Sequence, residues 1–261
     1  MEWKWTALVI THTTAQVSHM RRRDAIALPL LCGAAVSSIP SSIPLSRVLR
    51  FRGGQLDAWR PVQGLPALRW LGEKEGTAAH NDGVLTMTTG EKTDWFNPPP
   101  GEGMPSGLAN APALVLNPPA GDWQLSAQVQ VGHQFLFDAG TLFVHQGPDD
   151  WCKLCFEMSP EGKPTVVSVV TRGVSDDANG VAVDSTHVHL RVSKCGSAIA
   201  FHYSLDGGAY WTLHRIFSLR EPSAPMSVGF LAQCPTGQAC TAAFSDIALH
   251  DTTLRDPRDG S

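Results

Sequence analysis

Charge is scarce in this sequence. Only 17% of its 261 residues are Asp, Glu, Lys or Arg, and the formal net charge is −4. A nucleic-acid binder needs a basic face, and this composition offers little to build one from, so nucleic acid is excluded as a partner. No run of 18 or more apolar residues occurs, which argues against a membrane-spanning helix. Convincing amphipathic helices are missing, as is any repeat of solenoid or propeller length. There is no Gly-x-Ser-x-Gly elbow, phosphate loop or dinucleotide fingerprint. What is present suits a folded, strand-rich chain. The sequence is 43% hydrophobic, enough for a sizeable core, and its 24 Gly and 19 Pro punctuate many turns.

The first 45 residues read as a targeting or disordered segment. Arg21-Arg22-Arg23 follows Met20, an apolar run covers Ala25–Val36, and Ser/Pro-rich sequence ends near Leu45. That is the order of a secretory signal, and the paired arginines fit a twin-arginine export signal. Two readings stay open: export through this signal, or a cytoplasmic protein with a flexible N-terminal arm. Cys32 sits where a lipoprotein cysteine would, but Leu31 is too large for that cleavage motif.

From Leu56 onward, short apolar runs alternate with turns. Asn81-Asp82-Gly83 is a strong hairpin signal before Gly83–Thr88. In Gln124–Val131, Leu125, Ala127, Val129 and Val131 face one way. In His187–Ser193, Val188, Leu190 and Val192 face inward while His187, His189 and Arg191 face out. Further strands are predicted at Ala113–Leu116, Thr141–His145, Trp151–Glu157, Thr165–Arg172, Ala198–Ser204, Trp211–Phe217, Met226–Ala232 and Ala242–His250. About ten strands at regular spacing predict an all-β, two-sheet jelly-roll sandwich in residues 46–250. Residues 251–261 are polar and are expected to form a disordered tail. Asp149-Asp150 and Asp176-Asp177 are read as loop residues.

Of the six cysteines, Cys152 and Cys155 have redox spacing but lie on one strand, where positions i and i+3 diverge. Cys234 and Cys240 flank a turn-rich loop. They are read either as a hairpin disulfide, given an oxidising compartment, or as two buried thiols.

Several segments occur in an order that resembles one family. They are Thr93-Asp94-Trp95-Phe96, Asn110-Ala111-Pro112-Ala113-Leu114, Gly121 to Ala127, Phe137 to Leu142, Asp150 to Glu157, and Ser168 to Asp176. The family is a domain of unknown function in the concanavalin-A-like lectin/glucanase superfamily, and its members include the regulation-of-enolase proteins. The resemblance covers Leu56 to Leu249. It implies a jelly roll of two antiparallel sheets, one of them concave, and little about chemistry. One departure is visible: the family often has an aromatic after the Ser-Asp pair, where this chain has Asp177-Ala178-Asn179.

The strongest local constellation is Trp151, Lys153 and Glu157. A period-two strand puts all three on one face and leaves Cys152, Leu154 and Phe156 for the core. Ring stacking on Trp and hydrogen bonds from the charged groups suit a sugar. Arg172, Trp95 and Trp211 are further ligand-binding candidates, with Arg215 on the strand face after Trp211, while Trp123 and Trp59 suit the core. His187 and His189 share a face, yet no third ligand is identifiable, so no metal and no cofactor are expected. A glycosidase needs two carboxylates flanking the bond; only Glu157 sits on a candidate strand, so no catalytic residue is assigned. The composite expectation is a non-catalytic, lectin-like protein with a carbohydrate ligand. The alternatives are a protein-interaction or metabolic-regulatory domain with a protein partner, as the enolase-linked resemblance implies, or a sugar-active enzyme using Glu157.

Overall fold

A computed structural model describes residues 64–101, 103–104 and 106–261, plus the backbone of a two-residue strand at 49–50. The expectations for residues 1–45, Cys32 and Trp59 lie outside the described residues. The described residues belong to one compact unit, Ser42–Ser261. Among them no helix is long and apolar enough to cross a membrane.

The fold is the expected all-β sandwich. One sheet has eight strands in the order β1 (Leu49–Arg50), β3 (Gly76–Asn81), β4 (Val84–Gly90), β17 (Ala239–His250), β8 (Trp123–Val131), β13 (His187–Cys195), β14 (Ala198–Ser204) and β15 (Thr212–Phe217). The other has seven, in the order β12 (Val174–Ala182), β11 (Pro164–Arg172), β10 (Asp150–Met158), β9 (Ala139–Gly147), β16 (Ser227–Gln233), β7 (Ala113–Leu116) and β2 (Arg69–Leu71). A small ribbon pairs β5 (Trp95–Phe96) with β6 (Leu108–Ala109). Asp82 and Gly83 turn β3 into β4 with φ of 48° and 80°. Two positive φ values in succession are what a tight hairpin of this hand requires.

The core lies between the two large sheets. Val129, Ala127 and Leu125 of β8 stand opposite Val188, Leu190 and Val192 of β13, and all six are buried. Cys152, Leu154 and Phe156 reach the same cluster from β10, with Leu142 and Val144 from β9. Cys155 belongs to a separate small cluster with Ala139 and Val167, so the two nearby thiols diverge as expected.

Two expectations are corrected, and Cys234 and Cys240 take the second of their two readings. Strand β12 was not anticipated, and Asp176 and Asp177 lie on it rather than in a loop. Among the described residues it is an edge strand paired only with β11, so it needs no apolar face and its polar lettering conceals it. Cys234 and Cys240 are free, buried thiols. The segment between them carries the chain from the seven-stranded sheet to the eight-stranded one, so it is a crossover and not a hairpin. The tail is placed against the eight-stranded sheet: Leu254 and Gly260 are buried, and the Gly260 carbonyl accepts a 2.6 Å hydrogen bond from Arg191. Polar lettering hid this too, because the contacts run through backbone and short hydroxyl side chains such as Thr253, which donates to Asp122 at 2.7 Å.

Candidate functional site

The outer face of the seven-stranded sheet is not a plain polar surface. Phe143, Val169, Leu231 and Trp151 form a second apolar layer there, roofed by Trp95. The Trp95 ring lies 5.5 Å from Trp151 and 4.9 Å from Phe143, centroid to centroid. Its indole N–H donates to the Ala111 carbonyl at 2.8 Å. The roof is pinned at Thr93, whose backbone bridges Cys234, and at Asn97, whose N–H donates to Ser175 Oγ at 2.8 Å.

The face assigned to Trp151 is therefore right and its role is corrected. Trp151 is fully buried and Trp95 is 4% exposed. Neither ring is open for stacking on a ligand. Both serve to bury apolar outer-face positions that the loop would otherwise leave wet.

Beside this layer the roof lifts and leaves a cavity of about 390 Å³. Its polar lining includes Lys153, Glu157, Asp94, Asp177 and Gln233, and its apolar walls include Phe96, Leu108 and Phe137. The register explains the assembly. Asp177 of β12 stands opposite Val169 of β11, which stands opposite Lys153 of β10. Gln233 of β16 stands opposite Ala139 of β9, which stands opposite Glu157. Ala139 is small enough for Gln233 to reach across it.

The polar groups form one network. Lys153 Nζ donates to Asp94 Oδ1 and to Gln233 Oε1, each at 2.7 Å. Gln233 Nε2 donates to Glu157 Oε2 at 3.3 Å and to the Phe137 carbonyl at 3.1 Å. Phe137 holds this carbonyl in place with φ at 67°. A bulky side chain in the left-handed region is strained, and such strain gathers at ligand sites.

Burial sets the charge states. It pushes the Glu157 carboxyl up to about 8 against the pull of Lys153, with Asp94 and Asp177 adding to the rise. The direction favours the protonated carboxyl. Burial alone would lower Lys153, but Asp94 and the neighbouring acidic groups hold it above the ordinary lysine range. Asp177 is pushed up by desolvation, opposed by Lys153.

Of the six expected ligand residues, Lys153 and Glu157 line the cavity. Arg172 is exposed at the end of β11 and donates to the Ser218 carbonyl at 3.3 Å. Trp211 lies beneath the Arg191 guanidinium, 4.3 Å away, at the other sheet. His187 is exposed as expected, but His189 and Arg191 are largely covered. Arg215 pairs with Asp176. Sequence reasoning missed Asp94, Asp177 and Gln233 as site residues. Asp94 had a signal, since it sits in the Thr93-Asp94-Trp95-Phe96 segment, and Asp177 stands at the point of departure from the family pattern. Gln233 had none, because only the pairing of β16 with β9 brings it in.

The family described as "Protein of unknown function (DUF1349)" matches residues 70–252. No curated protein matches the chain. Among solved structures, a functionally unknown protein from Saccharomyces cerevisiae is 22% identical with a TM-score of 0.60, covering 70% of this chain and 95% of that one. The Bacteroides ovatus protein titled "Xyloglucan PUL GH43B" is 14% identical with a TM-score of 0.51, covering 67% of this chain and 36% of its own. The "Bifunctional GH43-CE" protein of Bacteroides eggerthii is 15% identical with a TM-score of 0.50, covering 68% of this chain and 24% of its own. At these identities the likeness is one of fold.

Proposed function

The chain belongs to the DUF1349 family of proteins of unknown function, and from that premise we propose that it is a non-catalytic, lectin-like protein whose cavity on the seven-stranded sheet binds a carbohydrate. The observation that carries this reading is the Lys153–Asp94–Gln233–Glu157 network opening into a 390 Å³ cavity with apolar walls. A few convergent polar groups in an apolar pocket of roughly 300–1,000 Å³ are the usual form of a small-ligand site. An ammonium has three donors, and Asp94 and Gln233 take two. The third, the protonated Glu157 carboxyl and the Asp177 carboxylate offer a donor and acceptor set that matches sugar hydroxyls. Half-buried Phe96 and Phe137 replace Trp151 as the rings that a sugar face would meet. The fold likeness to parts of proteins titled GH43 supports a sugar-contacting module.

Glycan-array screening of the full chain, followed by calorimetry on the best hit, tests the reading. Binding is expected to vanish in Lys153→Met and to persist in Trp211→Ala. Loss in both variants, or no hit at all, overturns it.

Two other readings have support of their own. Burial raises Glu157 toward the protonated form that a general acid needs, and Asp177 supplies a second carboxyl; release of aryl leaving groups from glycosides, lost in Glu157→Gln, would favour a sugar-active enzyme. Phe135 and Leu136 are exposed beside the cavity-lining Phe137, which suits a protein partner of the kind the enolase-linked resemblance implies. Pull-down with enolase, lost on Leu136→Asp, would favour that reading.

A further inference from the structure

We propose that the cavity selects an amine-bearing sugar over its neutral and acidic counterparts. This rests on the carbohydrate reading above and adds the charge of the ligand to it.

The inference follows from what faces what. The cavity holds three carboxyl groups, Asp94, Glu157 and Asp177, and one ammonium, Lys153. Lys153 is already committed to Asp94 at 2.7 Å, so it is a poor receptor for a second anion. Glu157 is the least exposed of the three carboxyls, at 7%, and its hydrogen bond from Gln233 is a long one at 3.3 Å. Around it stand Lys153 and Cys155 on its own strand, Gln233 on β16, Thr165 on β11, Asp94 on the roof and Asp177 on β12. Arg215 reaches Asp176 at the edge of the sheet rather than the cavity. Among the described residues the lining therefore has an excess of carboxyl groups and no unpaired cation.

An acidic sugar entering here would bring a fourth carboxyl toward Glu157 and Asp177. A neutral sugar would leave both without a charged partner. An ammonium on the ligand would supply a donor and the missing positive charge together. Its approach favours the ionised form of Glu157, so the Glu157 proton leaves to the buffer as the ammonium arrives. No bond other than that O–H is broken.

The probes are glucosamine, glucose and glucuronate, titrated into the full chain by calorimetry at pH 6.5 in two buffers of different ionisation heat. The expected result is roughly tenfold tighter binding of glucosamine than of glucose, with glucuronate weakest, and release of about one proton per glucosamine bound. Glu157→Gln, checked for folding by circular dichroism, should bring glucosamine and glucose within about twofold and abolish the proton release. Equal binding of glucose and glucosamine, removed by Lys153→Met, would overturn the charge selectivity and leave the carbohydrate site standing. Glucuronate binding best would also overturn it. Silence from all three probes would overturn both.

Discussion

Each large sheet turns one face away from the core, and each outer face is roofed by irregular chain. On the seven-stranded sheet the roof is the segment around Trp95, propped on that ring and pinned at Thr93 and Asn97. On the eight-stranded sheet it is the tail after β17. That roof fits tightly: a Cβ on Gly260 would come within 2.7 Å of the Arg191 guanidinium and 2.9 Å of Trp211 Cβ. The His202 ring donates from Nε2 to the Pro257 carbonyl at 2.9 Å. One roof rests on a large side chain and spans a gap; the other lays backbone directly on the sheet. The difference shows how two similar sheet faces come to differ in function. The cavity lies beside the pillar, while the tail packs its Gly260 backbone closely against Arg191 and Trp211.

Removing the pillar or the ion pair beneath it should have the largest effect. Trp95→Ala strips the ring from Trp151 and Phe143 and is expected to cost about 3–5 kcal/mol in denaturant unfolding. Lys153→Ala leaves Asp94 without its cation and should cost a similar 3–5 kcal/mol or so. If either variant unfolds like wild type, the roof is not held as described. Leu190→Ala, in the sandwich core between the sheets, should cost roughly 2–5 kcal/mol and gives the scale. Arg191→Ala frees the tail and uncovers Trp211 and should cost about 1–3 kcal/mol. His189→Ala should cost less than about 1 kcal/mol, since its nearest charged partner, Asp246, is 3.6 Å away and exposed.

The two roofs should also answer pH in opposite directions. Burial raises Glu157 from 4.5 to about 8 in the folded protein. The stability linked to it is complete below pH 4.5 and is lost as pH rises toward 8. Burial and the nearby Arg191 lower His202 from 6.5 to about 4. The stability linked to it is complete above pH 6.5 and is lost as pH falls toward 4. Melting curves from pH 4 to 8.5 should show Glu157→Gln gaining on wild type at the alkaline end and His202→Gln gaining at the acid end. Parallel curves would remove the contrast.

The sandwich was legible because burial on one side writes period-two lettering. Leu125, Ala127 and Val129 face the core as alternation demands, and so do Val188, Leu190 and Val192. The same rule placed Trp151, Lys153 and Glu157 together on the outer face. It could not say that a loop would cover Trp151, since alternation reports which side a residue takes and not what lies above it. Edge strand β12 was illegible because one neighbour and an open side impose no apolar pattern. Gln233 and Asp177 join the site through strand order, which depends on contacts far apart in sequence.

Strand β12 has one more consequence. It ends its sheet among the described residues, with no strand beyond it; only Asn97, at the Ser175 N–H, and Arg215, at the Asp176 carbonyl, reach its outer backbone. An open strand edge is a template on which another copy can add a strand, and charge along the edge discourages it. Asp176, Asp177 and Asn179 supply polar cover there, so Asp177 is expected to keep copies apart as well as to line the cavity. An Asp177→Val protein that precipitates would report self-association along this edge, not damage to the cavity. Asp177→Lys keeps a charge on the edge while reversing it in the cavity, and so separates the two roles.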